Sequence, residues 1–287
     1  MAELRIGTCS WKYRSWTGLV YSAPDGIDFL SEYARKYDTV EVDQWFWSLG
    51  KGHHVKMPDA AAVAAYRAAV PDGFRFTAKA PNSITLTHHY RKSKMHPLDP
   101  NPHFLSLDLV ERFLGTLDPM RDTLGPVMFQ FEYLNRQKIK SEKTFLEKLD
   151  PFLESLPHGY RFGVELRNPK WINAALLGVL EKHRVVPVLL QGYYMPSIVE
   201  LYIAWRDELA KHDTVVVRLH GPNRQGIEKH TGKVWDRIVA PKDDELSAIA
   251  GVTKDLLGRG VNVYVNVNNH YEGSAPLTIE RFQERLL

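Results

Sequence analysis

Short runs rich in β-branched and aromatic residues alternate along this chain with segments whose apolar positions recur near helical spacing. That is the pattern of a parallel sheet covered by helices. Eight runs predict strands: LRIGTC from Leu4, TVEVD from Thr39, FRFTAK from Phe74, PVMFQF from Pro126, YRFGVEL from Tyr160, VVPVLL from Val185, TVVVRLH from Thr214 and NVYVNV from Asn262. Between and after them, residues 27–37, 59–70, 104–117, 141–156, 173–183, 243–257 and 278–287 carry the helical spacing. Several open on helix-start residues, among them Pro58-Asp59, Ser141 and Asn173. Eight strands with interleaved helices predict an α/β fold, a closed (β/α)8 TIM barrel, and 287 residues suit one such domain over 1–287. There is no tandem repeat, low-complexity tract or flexible linker. Two connections stand out: a long loop, 80–103, after the third strand and an extended connection, 191–213, after the sixth. Both are too long for tight turns and read as functional loops or insertions.

In a closed barrel each strand turns alternate side chains toward the helices and the others toward the interior. With the apolar set facing the helices, TVEVD turns Glu41 and Asp43 inward, and FRFTAK turns in Arg75, Thr77 and Lys79. The same parity sends inward Gln130, Glu165 and Arg167, Arg218 and His220, and Asn266 and Asn268. These polar residues sit late in their runs, toward the strand ends where barrel active sites lie. An unpaired buried charge costs about several kcal/mol, so their convergence predicts a paired network, and one open to substrate is a site.

Charge and composition narrow the partner little. A net charge of +3 and a pI of 8.8 favour anionic ligands only mildly and lack the concentrated positive balance of a dedicated nucleic-acid module. The single cysteine, Cys9, allows no intrachain disulfide and suggests a reducing, cytoplasmic setting. By parity Cys9 points inward, and with no adjacent histidine in sequence it reads as a buried small residue. The opening MAELRIGTCSWKYRSW has no charged leader and apolar core, and no stretch is long enough to span a bilayer, so no membrane partner is expected.

Seven ordered blocks, IGTCSWKYRSWTGLVY, YARKYDTVEVDQWFW, VPDGFRFTAKAPNSIT, LGPVMFQF, RFGVELRNPKW, VVVRLHG and VYVNVNNHYEGSAP, resemble the domain-of-unknown-function 72, or YecE-like, proteins over nearly the whole chain. The resemblance implies a (β/α)8 barrel. It also implies strand-end roles for Trp11, Glu41, Lys79, Gln130, Glu165, Arg167, Trp171, Arg218, His220, Asn268 and Asn269, though the family's reaction is unassigned. The chain departs from the family at Asp43, where Asn is usual, at Glu132, where Pro is common, in DQWFW, and in NNHYEGSAP, where His270 takes no acidic residue's role.

The chemistry expected at the mouth is acid–base work by Glu41 and Glu165, with His220 and Lys79 as further catalytic candidates. Lys79, Arg167 and Arg218 would receive a carboxylate or phosphate, and Gln130, Asn266 and Asn268 would fix hydroxyls or carbonyls. Asp43, Trp11, Trp171 and Asn269 complete the binding set. No cofactor is evident. A divalent metal is a weaker reading: Glu41, Asp43, Glu165 and His220 are legitimate ligands, but the arginines would repel it and no paired-histidine motif is present. Glycine motifs lack nucleotide-loop spacing, leaving only a fold analogy for phosphate near Gly273 to Ala275. In the loop after strand three, Tyr90, Arg91, Lys92 and Lys94, with Trp45, Phe46 and Trp47 nearby, read first as a lid and second as a nucleic-acid or sugar platform. The expected protein is therefore a hydrolase, isomerase or lyase acting on an anionic carbohydrate or phosphate-bearing substrate, with endonuclease-like cleavage as the sharper subcase. The alternative is a ligand- or nucleic-acid-binding barrel without turnover.

Overall fold

The valine-rich runs pair side by side because each gives the helices an apolar face, and β4, β6, β7 and β8 are apolar toward the lower interior as well. The computed structural model describes residues 2–91, 93 and 95–287. Its strands are β1 (Leu4–Cys9), β2 (Thr39–Val42), β3 (Arg75–Lys79), β4 (Leu124–Phe131), β5 (Phe162–Leu166), β6 (Val186–Gly192), β7 (Thr214–Gly221) and β8 (Asn262–Val267). They pair in chain order, all parallel, and β8 returns to β1, closing a barrel. All eight expected strands are therefore present.

The helices are α1 (Phe29–Tyr33), α2 (Ala60–Ala68), α3 (Asn82–Thr85), α4 (Leu107–Leu117), α5 (Glu142–Glu154), α6 (Ala174–Lys182), α7 (Ile198–Leu209), α8 (Arg224–Thr231), α9 (Asp243–Gly258) and α10 (Ala275–Glu284). Asp59, Ser141 and Asn173 each accept hydrogen bonds from first-turn amides, as their positions in the sequence suggested. The extended connection after β6 is mostly helix. Its α7 starts on a capping box of Ser197 and Glu200 and buries Ile198, Leu201, Tyr202 and Leu209. Exposed Ile203 and a kink at Trp205 blur the periodicity that would have marked it. The loop after β3 begins buried, in α3, and Asn101 fastens it by donating to the Ser83 and Leu86 carbonyls. Lys92 and Lys94 lie outside the described residues. No helix among the described residues is long and apolar enough to cross a membrane.

Two apolar clusters divide the work. One large cluster fills the space between strands and helices, while Met128, Val186, Val188, Val216 and Tyr264 form a separate one. Met128, Val216 and Tyr264 share strand parity with Gln130, Arg218 and Asn266, and Val186 and Val188 of β6 pack with them, so the five plug the interior beneath the polar layer. Register then levels the polar residues: Cys9 pairs with Glu41, Glu41 with Thr77, Gln130 with Glu165, and Arg218 with Asn266. Gly7 permits the closest approach, since a Cβ there would lie 1.9 Å from the Thr39 carbonyl oxygen.

Candidate functional site

Arg218, projecting inward from β7, organises the barrel interior. It is 1% exposed, as is Glu165, and Glu41 is fully buried. Its Nε donates to Glu41 Oε2 at 2.7 Å and its Nη2 to Glu41 Oε1 at 2.6 Å, a bidentate clamp. Its Nη1 donates to Glu165 Oε2 and, at 3.3 Å, to Gln130 Oε1. Asn266 adds donations to Glu41 Oε2 at 3.1 Å and to Thr77 Oγ1 at 3.0 Å, and Arg167 Nε donates to Glu165 Oε1 at 2.9 Å. Side chains from β2, β3, β4, β5, β7 and β8 thus close one network, which is how the fold tolerates two buried carboxylates. Burial pushes the Glu165 carboxyl up, but Arg218, then Arg167 and Lys79, outweigh it and hold it at about 2.

Lys79 is placed differently. Its ammonium has no hydrogen bond or ion pair with any described residue, and Nζ lies 4.8 Å from the Phe46 ring centroid. Burial, then the Arg218 charge, lowers its pKa, against the pull of Glu41, Glu165 and Asp43. Among the described residues no Lys79–glutamate salt bridge forms, because Arg218 takes both carboxylates. Asp43, half-buried at the end of β2, moves the other way: burial and then Glu41 raise its pKa. A buried cation pushed down and a carboxyl pushed up, both electrostatically coupled to each other, are the groups whose environments bring them toward neutral working range.

His220 and Cys9 form a third element. Cys9 Sγ lies 3.7 Å from His220 Nε2, and one ligand atom each from Cys9, Glu41 and His220 fall within 4.8 Å of one another. Burial and then Arg218 drive the imidazole toward its neutral form, while burial and then Glu41 keep the thiol protonated. Cys9 was legible only as an inward residue. Its partner is 211 positions away, so no local signal could show the pair. The donor set is one a soft divalent metal could use, but Arg218 already holds both oxygens of Glu41 and would stand beside the cation.

Other candidates fall outside this floor. Trp11 packs edge-on against Tyr66, with ring centroids 5.0 Å apart. Asn269 Oδ1 accepts from the Ala275 amide at 2.8 Å, and its carbonyl accepts from Gly273 at 2.8 Å, so two of the amides suggested for phosphate near Gly273 to Ala275 are already used. Asn268 Oδ1 accepts from the His270 amide and lies 2.5 Å from its Nδ1, while His270 Nε2 meets Glu228 Oε1 at 3.0 Å. Trp171 stacks on Phe145 and faces a side cleft. Of the aromatic run, Trp45 and Phe46 are buried, and only Trp47 is exposed, 6.0 Å from Tyr90. Sequence parity missed Tyr193, whose ring carries the Arg167 guanidinium at 5.1 Å.

With that geometry in hand, comparison with known proteins is informative. The family model "Protein of unknown function DUF72" matches residues 5–287. The chain belongs to the DUF72 family. It is 29% identical over 170 residues to the UPF0759 protein YecE of Escherichia coli K12, a match covering 58% of this chain and 49% of that protein. The chain thus spans about half the length of the curated relatives it matches. Among solved structures, a DUF72 family protein from Thermotoga maritima MSB8 superposes with a TM-score of 0.67 at 23% identity, covering 99% of each chain. One from Enterococcus faecalis V583 gives a TM-score of 0.67 at 18% identity, covering 99% of this chain and 95% of the other. At these identities the structural likeness concerns the DUF72 barrel fold.

Proposed function

We propose that this DUF72 barrel is an enzyme of proton-transfer chemistry, a hydrolase, isomerase or lyase, acting on an anionic carbohydrate or phosphate-bearing molecule at its carboxyl-terminal mouth. The observation that carries this reading is Lys79, a buried ammonium with no counter-ion among the described residues. A charge held that way loses hydration with only the longer-range pull of Glu41, Glu165 and Asp43 in return, until an anion arrives to bond it directly. Arg167, partly exposed and bonded through Nε to Glu165, offers a second cation.

The roles divide by environment. Glu41, Glu165 and Arg218 form the floor, and Glu165, held at about 2, stays ionised at any working pH and is no general acid. Acid and base duties pass instead to Lys79 and Asp43, with neutral His220 as a further proton acceptor. A metal-dependent phosphodiesterase would draw on Cys9, Glu41 and His220, but would first have to dislodge Arg218 from Glu41. A binding barrel without turnover is the second reading, favoured by the fact that both glutamates are already tied to one arginine. The free, buried Cys9 agrees with a reducing, cytoplasmic compartment, which we propose alongside.

The test is turnover of a panel of sugar phosphates, uronates and phosphodiesters by the wild type and Lys79→Met, each with and without a chelator. Loss of about a hundredfold or more in the variant, indifferent to chelation, is expected when a general acid–base residue is removed. Binding without turnover across the panel would leave the non-catalytic reading standing, and chelator-sensitive turnover would restore the metal.

A further inference from the structure

A cleft of about 1060 Å³ opens beside the mouth, between the loops that follow β4, β5 and β6. Leu134 and Ile139 are apolar parts of its lining, and Tyr133, Trp171 and Tyr194 stand around it. Tyr133 and Tyr194 are 50% and 62% exposed, and their rings sit 6.2 Å apart at 88°, so each keeps an open face. Trp171 is backed by Phe145, nearly parallel to it at 5.8 Å, which leaves its other face outward.

Arg136, Lys140 and Lys170 also line this cleft, and none of the three forms an ion pair with any described residue. Lys138, between the first two, is taken up by Glu132. The one carboxylate in the lining, Glu142, accepts from Asn173 Nδ2 at 2.7 Å. The cleft therefore combines open aromatic faces with unbalanced positive charge, and exposed rings grouped in this way mark a ligand surface.

The polar amides of the lining point to the kind of ring. Asn168 is consumed by both backbone groups of Leu134, Asn135 Oδ1 by the amides of Gln137 and Lys138, and Ser141 Oγ by Thr144. Few free groups remain to read sugar hydroxyls, whereas aromatic faces stack any flat base. We propose that this cleft binds single-stranded nucleic acid, its bases on Tyr133, Trp171 and Tyr194 and its phosphates at Arg136, Lys140 and Lys170. Arg167 and Tyr193, paired at 5.1 Å, are each the chain neighbour of a lining residue, Asn168 and Tyr194, and Arg167 also bonds Glu165 of the barrel interior. A strand continuing past that pair would bring its next phosphate toward Lys79; this extension rests on the anion-binding reading of the mouth, while binding in the cleft does not.

The test is fluorescence anisotropy of the full chain with labelled oligothymidylate and oligouridylate of about 12 nucleotides. Binding is expected with a slope of log affinity against log salt of about −2, the value for three neutralised phosphates on a single strand. Arg136→Glu/Lys140→Glu/Lys170→Glu should abolish it, and Tyr133→Ala/Tyr194→Ala should weaken it about tenfold or more, since these rings are exposed and their loss leaves the core intact. Lys79→Met should leave cleft binding in place, which separates this inference from the reading of the mouth. Absence of oligonucleotide binding, binding that survives the triple charge reversal, or capture of polygalacturonate or duplex alone would overturn the proposal.

Discussion

Arg218 holds Glu41 by both carboxylate oxygens, Nε 2.7 Å from Oε2 and Nη2 2.6 Å from Oε1, and the same guanidinium also reaches Glu165. One side chain therefore neutralises carboxylates from strands two and five in a space water does not enter. Replacing it leaves both charges buried without their common partner. Arg218→Met is expected to lower unfolding free energy by about 3–5 kcal/mol, the cost of breaking a buried pair from one side. Arg218→Lys should recover little, since an ammonium cannot donate to both oxygens of Glu41 in the same plane. Urea denaturation measures both, and a loss below about 1 kcal/mol, the scale of an exposed pair, would show that the network is not the floor of the barrel.

The depressed Glu165 carboxyl gives this network a pH signature. Its pKa in the fold is about 2 against an ordinary 4.5, so the unfolded chain binds the proton more readily. The stabilisation is fully present above pH 4.5 and is lost as pH falls toward 2. It amounts to about 3 kcal/mol at neutral pH by linkage. Stability measured across that window should fall more steeply in the wild type than in Glu165→Gln, which has no proton to take up. Parallel curves for the two proteins would contradict the depression.

Lys79 should behave in the opposite sense. Burial and Arg218 lower its pKa, so the unfolded chain holds the proton to higher pH and stability rises as pH climbs through the folded value toward the ordinary 10.5. At neutral pH the retained charge therefore works against folding. Lys79→Met is expected to be more stable than wild type, by on the order of 1 kcal/mol, as when an apolar side chain of like size replaces buried charge. The same change should weaken binding of inorganic phosphate about tenfold or more, the loss of a charge-assisted hydrogen bond. Calorimetric titration and thermal denaturation together decide it; a destabilised variant with unchanged phosphate affinity would mark Lys79 as structural.

How far the site was legible follows from what alternation can and cannot encode. Period-two spacing assigns a side of the sheet, and it placed Glu41, Lys79, Gln130, Glu165, Arg218 and Asn266 in the interior, where all are buried. It carries no information on distance between strands, so it could not show that Arg218 would take both glutamates and leave Lys79 over Phe46. Residues beyond the strand ends follow no parity at all. Trp11 and Asn269 went to packing and capping positions, and Trp171 to the side cleft, because loops are arranged by local hydrogen bonds such as that from Ala275 to Asn269. α7 was hidden for a related reason, its buried stripe being interrupted by exposed Ile203.

Cys9 offers the sharpest check on which groups carry chemistry. Its thiol is 3% exposed, its neighbour at 3.7 Å is an imidazole that burial and Arg218 keep neutral, and burial with Glu41 keeps the thiol itself protonated. The thiolate is the reacting species, and each unit by which its pKa rises costs about tenfold in its population at a given pH. His220 is neutral, the charges of Arg218 and Lys79 that favour the thiolate are outweighed by burial and Glu41, and little surface is open to a reagent. Iodoacetamide at mildly alkaline pH should therefore alkylate Cys9 in the native protein at least about a hundredfold more slowly than in the urea-unfolded chain. The rate should climb only when unfolding exposes the thiol, and His220→Ala should not slow it further. Fast alkylation of the folded protein at neutral pH, suppressed by His220→Ala, would instead make the pair a nucleophile with its base and move the reaction away from Lys79 and Asp43.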